Sequence, residues 1–158
     1  MTDSIRRAMW KAMARSPFLM IRLDDYKGHS EPMTAQLDEA ADGEFWFFTT
    51  RSNRIAAGGK AMAQFVSRDH DLFCCLSGTL KEEDDRAVID NHWSASIEAW
   101  YEGGRTDPEL LMLRFELDEA EIWQRDTTLK GLFKLMTDKA VRPGELGDHE
   151  IVSLSSID

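Results

Sequence analysis

The chain has 158 residues, of which 42% are hydrophobic, and a formal net charge of -10 at pH 7. This length and apolar content fit a single globular domain over residues 1–158. The acidic balance argues against nucleic acid or an anionic membrane as a partner, because both attract basic surfaces. Since the sequence shows neither an apolar run near the roughly 20 residues of a membrane span nor a secretory leader, we expect a cytoplasmic protein.

The first residues predict an amphipathic helix. Ile5, Met9 and Met13 recur at helical spacing, so they share one face. Ser4 is a suitable N-cap, because its hydroxyl can accept a hydrogen bond from a free backbone N–H of the first turn. Pro17 ends the pattern, since proline cannot continue a helix.

A series of antiparallel strands is predicted next. Lys27-Gly28 is typical of a hairpin turn, and the aromatic run FWFF has the composition of a strand that is buried on both faces. The pattern predicts five strands in this part of the chain, over residues 18–23, 29–37, 44–50, 61–67 and 71–81.

The second half of the sequence combines helices and strands. A helix or helix pair is predicted over residues 85–101, with one apolar stripe formed by Ile89, Trp93, Ile97 and Trp100. Further elements are expected as strands at 111–117 and 120–122, a short helix at 129–136 and a last strand at 150–154. Six or seven strands with interspersed helices favour a mainly β, α+β fold, an antiparallel barrel with an N-terminal helix and a short C-terminal helix and tail.

A local cluster of positive charge stands out in this acidic chain. Arg51, Arg54, Lys60 and Arg68 follow one another without an intervening Asp or Glu, directly after an apolar strand. Guanidinium groups and hydroxyls are the donors that bind phosphate, so this segment is a candidate site for a phosphorylated small molecule. The alternative is a solvated loop that balances the charge of an acidic protein.

Common catalytic and metal-binding motifs are missing from the sequence. The P-loop pattern fails at Gly59-Lys60, and the four histidines lie in no metal-binding spacing, so no metal is expected. Cys74 and Cys75 are adjacent in a predicted strand and therefore face opposite ways, which predicts reduced thiols. The acidic run at residues 82–85 is interpreted as the solvated start of a helix.

Several segments nevertheless resemble a known family. PMTAQ, FWFFTTRSN, DLFCCLSGTLKEEDDRAVID and AWYEGGRTDPELLMLRFELDEAEIW occur in this order between residues 32 and 123. They are similar to the general stress protein branch of the pyridoxamine 5'-phosphate oxidase-like proteins, the FMN-binding split barrels. The resemblance implies a six-stranded antiparallel split β-barrel that forms a homodimer, with flavin bound in clefts at the interface.

The resemblance also implies which residues bind the cofactor, FMN or possibly FAD. Three groups are expected: a strand along the isoalloxazine ring, a strand end beside the ribityl chain, and a phosphate-binding turn. These correspond to Pro32, Met33 and Thr34, to Phe48 and Thr49, and to Arg51, Ser52 and Arg54, with Trp100 as a further cleft residue. Glu31 departs from the family pattern, because many relatives have arginine at this position.

The sequence is compatible with three functions. The first is a flavin-dependent oxidoreductase of unknown substrate, in which the flavin performs the electron chemistry. The second is a non-catalytic module that binds or senses flavin in a stress response. The third is a barrel that has lost its ligand and acts through its dimer surface. The last residues, IVSLSSID, lack the basic and histidine-containing group of a vitamin B6 oxidase, which argues against that activity.

Overall fold

A computed structural model describes residues 2–125 and 147–154 of the chain. These residues form seven strands, three α-helices and one 3₁₀ turn at Gly104–Thr106. The helices are α1 (Thr2–Arg15), α2 (Arg86–His92) and α3 (Ala95–Glu98). The strands are β1 (Phe18–Leu23), β2 (Glu31–Thr34), β3 (Glu44–Thr50), β4 (Gly59–Val66), β5 (Leu72–Glu82), β6 (Leu110–Arg125) and β7 (Gly147–Ser153).

All strand pairs are antiparallel, in the order β2-β1-β4-β5-β6-β3, and β7 pairs with the second half of β6. The two ends of this order approach each other, because Gln36, just after β2, forms an isolated bridge with Trp46 of β3. The sheet therefore curls into a barrel that is split along the β2 edge. The predicted antiparallel barrel is confirmed, with seven strands in the described residues where the family resemblance implied six.

Alternating side chains of the strands fill the barrel core. Phe45, Phe47 and Phe115 are fully buried, and the Phe45 ring lies 5.4 Å from Phe47 and 5.2 Å from Phe115 between ring centroids. Helix α1 covers this core with its predicted face, since Ile5 and Met9 are buried. The helix ends before Pro17 as expected, but it begins at Thr2. Ser4 therefore lies inside the helix, and its prediction as N-cap was wrong.

Strand β6 joins two predicted strands into one element of 16 residues. Leu117 pairs with Gly78 and Glu119 pairs with Ser77, so Asp118 is an extra residue in a β-bulge. The bulge reverses the alternation of buried side chains without ending the strand, which explains why the sequence pattern indicated a break. Gly78 is required here, because a Cβ at this position would collide with the Glu116 carbonyl oxygen.

Two other predicted elements differ in their bounds. The strand expected over residues 29–37 is limited to Glu31–Thr34, and the chain before it makes a loop rather than a tight turn at Lys27-Gly28. The helical region at 85–101 is a helix pair, because Asp85 caps α2 and Ser94 caps α3 through their side chains. The helix predicted at residues 129–136 lies outside the described residues.

Candidate functional site

An open cleft of about 660 Å³ lies at the split between β2, the end of β3 and helix α3. Residues of β2 contribute to its wall, and so do residues of α3 and of the segment that follows it. The lining consists of Phe18, Pro32, Met33, Thr34, Gln36, Phe48, Thr49, Thr50, Asn53, Ser96, Ile97, Trp100 and Tyr101. This volume is within the range of small-molecule and cofactor sites.

The chemistry of the lining is apolar with a few neutral polar groups. Side-chain amides come from Gln36 and Asn53, and hydroxyls come from Thr34 and Ser96. The cleft contains no His, Cys, Lys, Arg, Asp or Glu among the lining residues that the structure describes. Such a surface suits a flat, largely apolar ligand with hydrogen-bonding edges.

Tyr101 connects the helical wall of the cleft to β3. Its buried hydroxyl donates a 2.6 Å hydrogen bond to the backbone carbonyl oxygen of Thr49. Burial raises the pKa of this phenol to about 12, so the hydroxyl stays a neutral donor at physiological pH. The bond holds the residues after α3 against the strand end that borders the cleft.

We expect Tyr101→Phe to lower the free energy of unfolding by about 1–2 kcal/mol, because a buried carbonyl loses its side-chain donor. Urea denaturation measures this change, and Tyr26→Phe, in the partly buried loop after β1, serves as the control. Equal stability of the Tyr101→Phe variant and the parent protein would show that the hydrogen bond does not hold the wall.

The two tryptophans of this region have different environments. Trp93 is half-buried and contacts Phe48 and Tyr101, with ring centroids 5.7 Å and 6.0 Å apart. Trp100 is 84% exposed and lies at the cleft. The two residues share the predicted apolar stripe in sequence, but Trp93 packs against other aromatic rings, whereas Trp100 lines the cleft as the resemblance implied. A large apolar side chain this exposed is suited to cover a ligand.

The segment that carries α2 and α3 is anchored at Glu83. This carboxylate is 6% exposed and accepts hydrogen bonds from the Trp46 indole at 3.1 Å and from Arg114 at 3.2 Å. The prediction that residues 82–85 are a solvated helix start was therefore wrong at Glu83. The prediction of a solvated helix start is confirmed at Asp85, an exposed residue whose carboxylate caps α2.

Arg51 does not line the cleft and instead pairs with Glu82. Its guanidinium donates a 2.7 Å hydrogen bond to Glu82, and both side chains are about half exposed. The hydrogen bond and charge of Glu82 raise the pKa of Arg51 above its ordinary value. Ser52 shares a 3.2 Å hydrogen bond with the Thr50 hydroxyl.

Arg54 follows the lining residue Asn53 in the chain and is held by three groups. It donates a 3.0 Å hydrogen bond to the His29 carbonyl oxygen, lies 5.8 Å above the Tyr26 ring centroid and approaches the Glu31 carboxylate at 3.6 Å. Lys60, from the same basic cluster, pairs with Asp118 at 3.0 Å. Three of the four basic residues of the cluster thus have carboxylate partners from other elements.

The structure brings six of the nine predicted cofactor residues together around the cleft, namely Pro32, Met33, Thr34, Phe48, Thr49 and Trp100. Arg51, Ser52 and Arg54 are next to Thr50 and Asn53 in the chain but do not line it. The other seven lining residues were not predicted as cofactor residues, namely Phe18, Gln36, Thr50, Asn53, Ser96, Ile97 and Tyr101. In the sequence, only their closeness to predicted cofactor residues could have indicated them. The position of β1 and α3 at this cleft depends on the tertiary fold.

The remaining chemistry-bearing residues lie outside the cleft. Cys74 is buried, and burial raises the pKa of its thiol to about 12, which removes it as a nucleophile. Cys75 is a free thiol on the other face of β5. Residues 2–125 and 147–154 contain no group of three side chains that could hold a metal ion. None of their helices is long and apolar enough to cross a membrane.

Comparison with known proteins defines the class to which this barrel and cleft belong. The chain belongs to the family described as pyridoxamine 5'-phosphate oxidase like, whose model matches residues 6–143. Among curated proteins, no match to the chain is found.

Solved structures indicate the branch of the family. A general stress family protein from Xanthomonas campestris is 39% identical, with a TM-score of 0.74 over 82% of this chain and 92% of that one. A general stress FMN/FAD binding protein from Xanthomonas citri is 40% identical, with a TM-score of 0.74 over 81% of this chain and 94% of that one. A general stress protein 26 from Jannaschia shares the fold, with 23% identity and a TM-score of 0.81 over 97% and 99% of the two chains.

Proposed function

We propose that the protein binds a flavin, FMN or possibly FAD, in the cleft between β2, β3 and α3. The observation that carries this proposal is the cleft itself, which joins five residues of the expected flavin strands, Pro32, Met33, Thr34, Phe48 and Thr49, in an apolar surface. The similar protein from Xanthomonas citri is described as an FMN/FAD binding protein, which supports the same ligand here.

The residues of the cleft fit the parts of a flavin. Strand β2 lies at the end of the strand order, so one edge of its backbone is not used in the pairing with β1 and can bind a ring edge. Phe48 and Ile97 offer apolar surface to the ring system, and Trp100 can cover it. Arg54 follows the lining residue Asn53 and is the arginine that we assign to the phosphate end of the ligand, whereas Arg51 is held outside the cleft by Glu82.

As a function, we propose a flavin-dependent oxidoreductase of the stress-response type. When bound, the flavin supplies the electron chemistry, and the chain binds it, orients it and excludes water. A second candidate is a flavin-binding module without turnover. The absence of acid–base side chains among the described lining residues favours this second candidate.

Visible absorbance of the purified protein and consumption of NADH or NADPH under air separate these functions. An oxidoreductase should be yellow and oxidise a reduced nicotinamide. A binding module should be yellow and inactive with both nicotinamides. A colourless protein that does not take up added flavin would contradict both.

We also propose that the protein is a homodimer. An apolar band crosses the outer face of the sheet, where Val66 of β4, Phe73 of β5 and Trp123 of β6 are neighbours in register. All three are at least 40% exposed, as are Phe18 and Met20 of β1, Met62 of β4 and Ile151 of β7. A contiguous apolar surface of this kind marks an interaction site.

A second copy of the chain is the partner that this face fits. The apolar band reaches the cleft residue Phe18, because Leu19 pairs with Phe65 and the next residues along these antiparallel strands are Phe18 and Val66. An isologous contact would place the same band of two protomers together and close one side of each cleft. The flavin would then be bound next to the interface, as the family resemblance implies.

A further inference from the structure

Glu31 and Arg54 form an ion pair next to the cleft. Each is next in sequence to a lining residue, Glu31 to Pro32 and Arg54 to Asn53. The distance from the Arg54 Nε to the Glu31 Oε2 is 3.6 Å. This pair is therefore adjacent to the proposed flavin site without forming its wall.

The Glu31 carboxylate already pairs with Arg54, so an anionic ligand that binds this arginine must compete with it. Its side chain is only 18% exposed, and its Oε1 atom is buried without a hydrogen-bond partner in the described residues. A poorly hydrated carboxylate interacts strongly with nearby charges, because little water screens it. An anion that approaches Arg54 would meet this negative charge at close range.

The charge of a flavin phosphate makes this competition specific to one ligand. The monoester phosphate of FMN carries about 1.5 to 2 negative charges at pH 7. Riboflavin has the same ring system and ribityl chain but no phosphate. A carboxylate at the phosphate end should therefore oppose FMN and leave riboflavin unaffected.

We propose that Glu31 is a specificity-determining residue that competes with the ligand phosphate for Arg54 and so reduces the preference of the cleft for phosphorylated flavins. This inference rests on the proposed flavin-binding function. It predicts that the phosphate contributes less to binding in this protein than Arg54 would allow if it were not paired with Glu31.

The pair between Arg51 and Glu82 provides a matched control. It also joins an arginine near the end of β3 to a glutamate, at 2.7 Å, but both side chains are about half exposed to solvent. Glu82→Gln removes the same charge as Glu31→Gln in a well-hydrated position. Comparison of the two variants distinguishes a specific effect at Arg54 from a general change in net charge.

The test is fluorescence titration of FMN and of riboflavin against the parent protein, Glu31→Gln, Glu31→Arg and Glu82→Gln. We expect Glu31→Gln to tighten FMN binding by about tenfold, because a charge at close range is removed. Glu31→Arg should tighten it further. Riboflavin affinity should change by less than about twofold in every variant, as should FMN affinity in Glu82→Gln.

Several outcomes would overturn the inference while flavin binding stands: an unchanged FMN affinity in Glu31→Gln, an equal gain for riboflavin, or the gain appearing in Glu82→Gln instead. Failure of all four proteins to bind either flavin would overturn the proposed function and this inference with it. Thermal unfolding of each variant confirms that folded proteins are compared, and Glu31→Gln keeps the side-chain shape so that the fold is preserved.

Discussion

Phe73→Asp is expected to dissociate the proposed dimer into monomers. Phe73 lies between Val66 and Trp123 in the middle of the apolar band, and it is 40% exposed in one protomer. In an isologous dimer the substitution would bury two unpaired carboxylates, one from each copy. We expect the dissociation constant to rise at least about 100-fold, which corresponds to about 3 kcal/mol.

Light scattering at micromolar concentration measures this change, since one protomer has a mass of 18.1 kDa. Ala87→Asp is the control, because Ala87 is an exposed residue of α2 and lies away from the sheet. The parent protein and the control should have the mass of a dimer. A monomeric parent protein, or a Phe73→Asp variant that remains dimeric, would show that this face is not the interface.

Glu83→Ala should cause the largest loss of stability among single changes near the cleft. The change removes the acceptor of the buried Trp46 indole N–H and one of the carboxylate partners of Arg114. Arg114 keeps Glu116 at 3.0 Å, so its charge remains paired. We expect a loss of about 2–4 kcal/mol in the free energy of unfolding, mainly from the unsatisfied indole.

The neighbouring residue provides the control for this prediction. Glu82→Ala breaks the exposed ion pair with Arg51 and should cost less than about 1 kcal/mol. Urea denaturation of both variants measures the difference. An unchanged slope of the unfolding free energy against urea concentration shows that only stability has changed. Similar losses for the two variants would contradict the role of Glu83 as the buried anchor of the α2–α3 segment.

A strand could be predicted from the sequence where one uninterrupted pattern of apolar residues extends over its whole length. Strand β3 was predicted with its exact bounds, because the apolar run EFWFFTT is limited by turn residues on both sides. Strand β6 was divided in two, since a bulge at Asp118 reverses the alternation without interrupting the strand. A change of register depends on the partner strand, which a local pattern does not contain.

The site could be predicted only in part, for a similar reason. The strands at Pro32–Thr34 and Phe48–Thr49 follow from family motifs, and the fold places them at one cleft. The ion pairs of Arg51 with Glu82 and of Arg54 with Glu31 join residues 31 and 23 positions apart. Their sequence positions indicated a free basic cluster, because pairing across elements depends on the tertiary fold.

Equilibrium titration of the apoprotein with FMN tests the proposed flavin cleft most directly. The parent protein should bind one FMN per protomer, with quenched flavin fluorescence. Ile97→Asp, which places a carboxylate in the apolar lining of the cleft, should weaken binding at least about tenfold, and Glu39→Gln, outside the cleft, should not change it. Absence of FMN binding by the parent protein, or equal affinity of the Ile97→Asp variant, would contradict a flavin site in this cleft.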